Sequence, residues 1–204
     1  LVLRAGVELA RDAGRRRIAV EHRDLDLAGV DALLDQHLGV VQEGIAEREK
    51  AIGKAYAKDV IKNAKALADA LSAAGFKVLG EKRGYTKSHQ IAVNVLDYSD
   101  GGKVEADLEK ANIIVNRQLI PGDIKAGRNY FHPGGIRLGV SELTRLGMKP
   151  SEMKEIAGFI KTVVIDKKDP KKLAAKVKSF RKDYQKVHYC FDNKLGAYEY
   201  VKLR

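Results

Sequence analysis

Gly134-Gly135-Ile136-Arg137-Leu138-Gly139-Val140 sets a single arginine between glycines on a short apolar run. Strand alternation sends Ile136, Leu138 and Val140 to one face and Gly135, Arg137 and Gly139 to the other. The glycines leave open space around the Arg137 side chain. A guanidinium is planar and permanently charged, so it grips a carboxylate through two parallel hydrogen bonds where a lysine offers only a point charge. A cation in this frame is read as meeting an anion. The competing reading is a surface arginine on an edge strand, and the surrounding sequence weighs against it.

Downstream lies Leu143-Thr144-Arg145-Leu146-Gly147-Met148, then a helix opening near Pro150. Upstream, in order, come Asn63-Ala64-Lys65-Ala66-Leu67-Ala68-Asp69-Ala70-Leu71, Thr86-Lys87-Ser88-His89-Gln90, and Val115-Asn116 through Ile120-Pro121-Gly122-Asp123. These segments resemble, in the same order, those of the serine hydroxymethyltransferases, with the spelling of the archaeal members. The resemblance runs from about residue 45 to about residue 190.

The resemblance implies an α+β fold: the small C-terminal domain of a fold-type I transferase dependent on pyridoxal phosphate. A mostly antiparallel sheet packed with helices would follow a long linking helix. It further implies that Arg137 binds the carboxylate of serine or glycine, and that the segment from Asn116 to Phe131, with Gln118, Tyr130 and Phe131, lines the pterin carrier. Gln118 stands where folate-using members carry Asn, and the loop between Asp123 and Arg137 is longer than the usual spelling. Tetrahydromethanopterin is therefore as compatible as tetrahydrofolate. In the family the cofactor's Schiff-base lysine closes a His-Lys pair upstream of the long helix. Here no lysine precedes Lys50 and no His-Lys pair occurs. No catalytic residue and no cofactor-binding residue is therefore assigned, and the chain alone is expected to be inactive. The expected partner is a large cofactor-binding domain or a homodimer mate.

The coarse elements follow from periodicity. Residues 44–74 read as one long helix, with Ile45, Ile52, Tyr56, Val60, Ala64, Leu67 and Leu71 at spacings of three, four and seven and Gly75 at its C-terminal end. Strands are expected over 76–79 and 90–96, a helix over 104–111, a third strand at 113–115, and Arg137's strand as the fourth. Pro150 and Asp169-Pro170 open the last two helices, the latter with a stripe of Leu173, Val177, Phe180 and Tyr184. Interleaved strands and helices around one small sheet make the α+β class.

Residues 1–44 read as an atypical leader, and 45–204 as the linking helix and C-terminal domain. Residues 1–49 carry no lysine but seven arginines, the last of them Arg48, and lysine dominates from Lys50 onward. Within it, residues 7–13 and 30–38 read as short helices with 18–20 as a strand, and Arg15-Arg16-Arg17 reads as a solvated run. The chain opens on Leu1, which leaves a fragment, a fusion and a frame-disrupted product open.

At 204 residues and 45% hydrophobic content the chain is long enough for one good core. One cysteine, Cys190, excludes an internal disulfide framework and reads as a packed thiol. No membrane span or signal peptide is legible, and the cytoplasm is the expected compartment. His89 reads as supporting the site rather than reacting, and His132 as a loop histidine. No Cys/His spacing suggests a metal site. The net charge of +11 leaves one rival, a non-enzymatic nucleic-acid-binding module built on Lys167, Lys168, Lys171, Lys172, Lys176, Lys178, Arg181, Lys182 and Lys186. Aromatic residues are not interleaved along that face and no nucleic-acid motif is present, so no specific nucleic acid is expected.

Overall fold

The computed structural model describes Val2–Leu3 and residues 31–190. The expected elements at 7–13 and 18–20 lie outside the described residues. Helix α1 runs unbroken from Asp31 to Ala73, so the separate short helix expected over 30–38 is instead the first part of the long one. No proline or glycine punctuates residues 31–38, so nothing in the local sequence stops the helix there. Gly75, at φ 101°, accepts the left-handed conformation that ends it.

The main sheet has four antiparallel strands in the order β2 (Lys77–Val78), β3 (Gln90–Asn94), β6 (Gly135–Gly139), β5 (Asn116–Gln118). A separate two-stranded ladder joins β1 (Val2–Leu3) to β4 (Ile113–Ile114). The strand expected at 113–115 is thus divided: Ile113–Ile114 pairs with β1, and the chain reaches the main sheet only at Asn116. Beta-branched spelling conveys strand propensity but not the partner.

One face of the main sheet is the core. Ile91, Val93, Ile136 and Leu138 are all at most 3% exposed and meet Val60, Leu67, Leu108, Met153 and Ile156 in one apolar cluster. The helices supplying it are α1, α2 (Gly101–Lys110), α4 (Pro150–Val164) and α5 (Pro170–Arg181). Asp100 caps α2 by accepting from the Gly102 and Lys103 N–H groups at 2.9 and 3.1 Å. At α4 the Glu152 carboxylate accepts from the Lys149 N–H at 2.6 Å, and at α5 Asp169 accepts from the Lys171 N–H. The approach of α2 to the sheet is so close that a Cβ on Gly101 would overlap the Gly135 carbonyl, which accounts for glycine at that contact.

A short helix, α3 (Ser141–Arg145), turns the chain directly after β6. Its five residues are too few to show a period in the sequence. Arg181, which the lysine-rich sequence groups with the surface cations of the tail, is 1% exposed and faces inward from α5. The spacing of four from Leu173 to Val177 to Arg181 explains this, because it places the arginine on the apolar stripe.

A candidate carboxylate-binding cleft

Arg137 sits on β6, an interior strand of the main sheet, flanked by Ala92 on β3 and Asn116 on β5 in direct cross-strand register. The edge-strand alternative is thereby replaced by a central position. Its side chain leaves the sheet on the face opposite the core, where Gln90, Ala92, Asn94, Asn116 and Gln118 make a polar surface. Arg137 is half-buried, and among the described residues its guanidinium forms no ion pair or hydrogen bond. A charge held in partial desolvation at the centre of a sheet needs a counter-charge, and a bidentate anion suits its fork.

Around it is a cleft of about 290 Å³ lined by His89, Gln90, Asn116, Ser141 and Glu142 over Gly139. A larger concavity of about 810 Å³ lies between α1 and α4, but its walls are mainly Ala66, Ala70, Ala73, Ala157 and Gly158. Chemistry rather than size selects the smaller cleft, since it gathers the polar groups.

The cleft walls are fastened to α1. Tyr56 donates its hydroxyl to the Ser141 carbonyl at 3.0 Å, and the Arg145 guanidinium lies over the Tyr56 ring at 5.8 Å from its centroid. Two turns further along α1, buried Asn63 donates to Thr144 Oγ1 and to the Met148 carbonyl, both at 2.9 Å, while Thr144 donates to the Val140 carbonyl at 2.8 Å. On the opposite wall the Val140 N–H donates to the His89 carbonyl at 3.1 Å. His89 thus borders the cleft through backbone and ring. Nothing in the order of residues signals the Tyr56 and Asn63 ties, which span 85 and 81 residues.

Of the residues expected to face a pterin, Gln118 shares the polar sheet face of Arg137 while Tyr130 and Phe131 stand on the loop before β6, and none of the three lines the Arg137 cleft. Gln118 donates its amide to the Leu119 carbonyl at 3.0 Å. Tyr130 and Phe131 are 59% and 67% exposed, with ring centroids 6.2 Å apart, and the Arg117 guanidinium lies 5.8 Å from the Tyr130 centroid. Their loop is pinned by Asp123, which is 2% exposed and accepts from the Ile120 and Gly134 N–H groups at 2.9 and 2.7 Å. His132 lies outside the Arg137 cleft: its Nδ1 is 3.6 Å from Asp100, with a side chain 74% exposed. Asp100 is held below its ordinary acidity range, burial being outweighed by the two backbone N–H donors of α2 with His132 adding to them. Cys190 is half-buried, its Sγ 3.5 Å from the Val187 carbonyl.

A family model described as serine hydroxymethyltransferase matches residues 40–160, which contain most of the long helix, the whole main sheet and the Arg137 cleft. The chain belongs to the serine hydroxymethyltransferase family. It is 86% identical over 152 residues to a serine hydroxymethyltransferase of Nitrosopumilus maritimus, covering 74% of this chain and 34% of that protein. A serine hydroxymethyltransferase of Korarchaeum cryptofilum is 49% identical over 179 residues, covering 86% of this chain and 41% of the relative. Among solved structures, the L-threonine transaldolase of Pseudomonas fluorescens in its internal aldimine state superposes with a TM-score of 0.62 at 32% identity, over 73% of this chain and 33% of that one. The chain therefore spans only 34% and 41% of the length of these two serine hydroxymethyltransferases. Its fold is the small C-terminal domain of a fold-type I pyridoxal-phosphate-dependent transferase, α+β, preceded by the long helix.

The cofactor itself does not fit the cleft on these residues alone. A Schiff base needs a lysine amine, and none lines the cleft around Arg137. Among the described residues no helix is long and apolar enough to cross a membrane, and no group of three His, Cys, Asp or Glu side chains is gathered for a metal.

Proposed function

We propose that this chain supplies the substrate-carboxylate and pterin-facing part of a serine hydroxymethyltransferase, which interconverts serine plus a tetrahydropterin with glycine plus the methylene-tetrahydropterin. Arg137 takes the carboxylate of serine or glycine. Gln118, Tyr130 and Phe131 face tetrahydrofolate or tetrahydromethanopterin. The cofactor lysine comes from a large domain outside residues 1–204, so residues 45–204 act within an assembly and are inactive alone. Pyridoxal phosphate in that assembly would supply the electron sink. Arg137 contributes orientation, fixing the amino acid by its carboxylate so that the bond to be broken is presented to the reacting face.

The observation that carries this reading is the Arg137 guanidinium at the centre of the polar sheet face, without an ion pair among the described residues and beside a cleft with room for a small amino acid. The rival reading, a non-enzymatic nucleic-acid-binding module, leaves that cleft without a role. The test is to fuse the cofactor-bearing part of a family member to this chain and compare serine dependence. Each charge-assisted hydrogen bond from Arg137 is worth about 1.5–3 kcal/mol, so Arg137→Lys should weaken serine use about tenfold or more and Arg137→Ala further. Arg145→Ala, which removes a guanidinium stacked on Tyr56, should leave serine affinity nearly intact. A damaging Arg145→Ala beside a silent Arg137→Lys would overturn the assignment.

A further inference from the structure

The Arg137 site uses none of the charge on α5. This helix, Pro-Lys-Lys-Leu-Ala-Ala-Lys-Val-Lys-Ser-Phe-Arg, contains no acidic residue. Its inward stripe is Leu173, Val177 and Arg181. Lys171, Lys172, Lys176, Lys178 and the C-capping Lys182 are all exposed, and among the described residues none of their ammonium groups forms an ion pair. Helical spacing sorts them into two rows: Lys171, Lys178 and Lys182 along one flank, Lys172 and Lys176 along the other, with small Ala175 and Ser179 on the crest between. Lys168 and Thr162 join the second row around a groove of about 350 Å³. Asp169 is engaged with Lys171 N, and Asp183 and Glu155 border Lys176 and Ser179 on one side, so five exposed lysines face two free carboxylates and the face keeps a net positive charge.

We propose that α5 is a docking face for duplex DNA, seated in the major groove and held by phosphate contacts without reading bases. A helix with its side chains is about 10–12 Å across, and the B-form major groove is about 12 Å wide, so lysine rows on opposite flanks reach the two phosphate borders while the small crest meets the groove floor. Lysines give point-charge contacts that position without specifying. No arginine, asparagine or glutamine stands on the crest to read a base edge. An anionic membrane fits less well, because Leu173 and Val177 are buried in the core and leave no apolar face to insert. This face is independent of the amino-acid cleft, and its failure would leave the enzymatic reading untouched.

Fluorescence anisotropy with the full chain and a mixed-sequence DNA duplex tests the proposal. Five phosphate contacts at about −0.9 each give a log–log salt slope of about −4.5, so affinity should fall about 500-fold between 50 and 200 mM salt. Replacing Lys171, Lys172, Lys176, Lys178 and Lys182 together by Gln should weaken binding more than tenfold and flatten the slope, with circular dichroism checking that the helices persist. Replacing Lys54, Lys58, Lys65, Lys82 and Lys154 by Gln makes the same change in net charge on other exposed surfaces and should cost far less. Duplex RNA, whose major groove is deep and narrow, should bind more weakly than DNA. Equal losses in the two lysine variants, wild-type binding by the α5 variant, or RNA binding as tight as DNA would overturn the proposal.

Discussion

Asp123 shows how much of the site rests on a single buried side chain. Its Oδ2 receives both the Ile120 and the Gly134 N–H groups, closing the two ends of the loop that carries Tyr130 and Phe131 and delivering the chain to Arg137's strand. Arg128 stands 3.7 Å from its other oxygen and helps hold the charge. Asp123→Ala would leave two buried donors unpaired, a loss of about 2–4 kcal/mol readable as a lower urea midpoint, while Asp123→Asn keeps an accepting oxygen and should cost less. An Asp123→Ala chain as stable as wild type would show that the loop is held by something else. Pro121-Gly122-Asp123 announces a turn in the sequence but not the partner Gly134, because the bond spans 11 residues with no periodic signal. Arg137 is legible for the opposite reason, since strand alternation alone fixes its face. Arg181 escapes a sequence reading because a cation within a lysine-rich helix reads as solvated unless its spacing from Leu173 and Val177 is given priority.

At the scale of elements, α1 acts as the spine to which the cleft and the chain's last described segment are tied. Tyr189 donates its hydroxyl to Asp59 at 2.5 Å, accepts from Lys149 at 3.1 Å and packs its ring on Tyr56 at 5.3 Å, with its own backbone in the left-handed region at φ 56°. The Tyr189 hydroxyl, with Lys149 beside it, holds Asp59 below the ordinary carboxylate range, and burial followed by the Asp59 bond raises Tyr189 above the usual phenol value. The signs give a window with two ends. Asp59's contribution is present above its unfolded pKa of about 4 and is lost as pH falls through the lowered folded value; Tyr189's is present below about 10 and is lost as pH rises through its raised one. Hydrogen exchange over residues 182–190, corrected for the intrinsic pH dependence of exchange, should therefore be level between about pH 5 and 9 and rise at both extremes. Asp59→Asn should weaken protection by about 1 kcal/mol and abolish the acid limb. Retention of that limb in Asp59→Asn would assign the acid sensitivity to another group. The long helix, α4 and α5 are legible from their apolar spacing and caps. The break between β4 and β5 and the short α3 are not, because strand pairing and a single helical turn are decided by tertiary contacts.

For the whole molecule, the architecture divides the sheet into a sealed face and an open one. Helices bury Ile91, Val93, Ile136 and Leu138, while Arg137 and its polar neighbours face outward with exposed Ile124, Tyr130 and Phe131 on the adjoining loop. Family motifs disclose the fold class and the order of elements, whereas the face left uncovered becomes visible only once the helices are placed. Under the proposed function, this open face completes a site whose cofactor-anchoring half belongs to another part of the enzyme. Borohydride reduction after incubation with pyridoxal phosphate, followed by peptide mapping, puts that division to the test. The isolated chain should show only scattered, substoichiometric labelling of its exposed lysines, and in a fusion with the cofactor-bearing part of a family member the single stoichiometric label should fall outside residues 1–204. One lysine of this chain labelled to completion would contradict it.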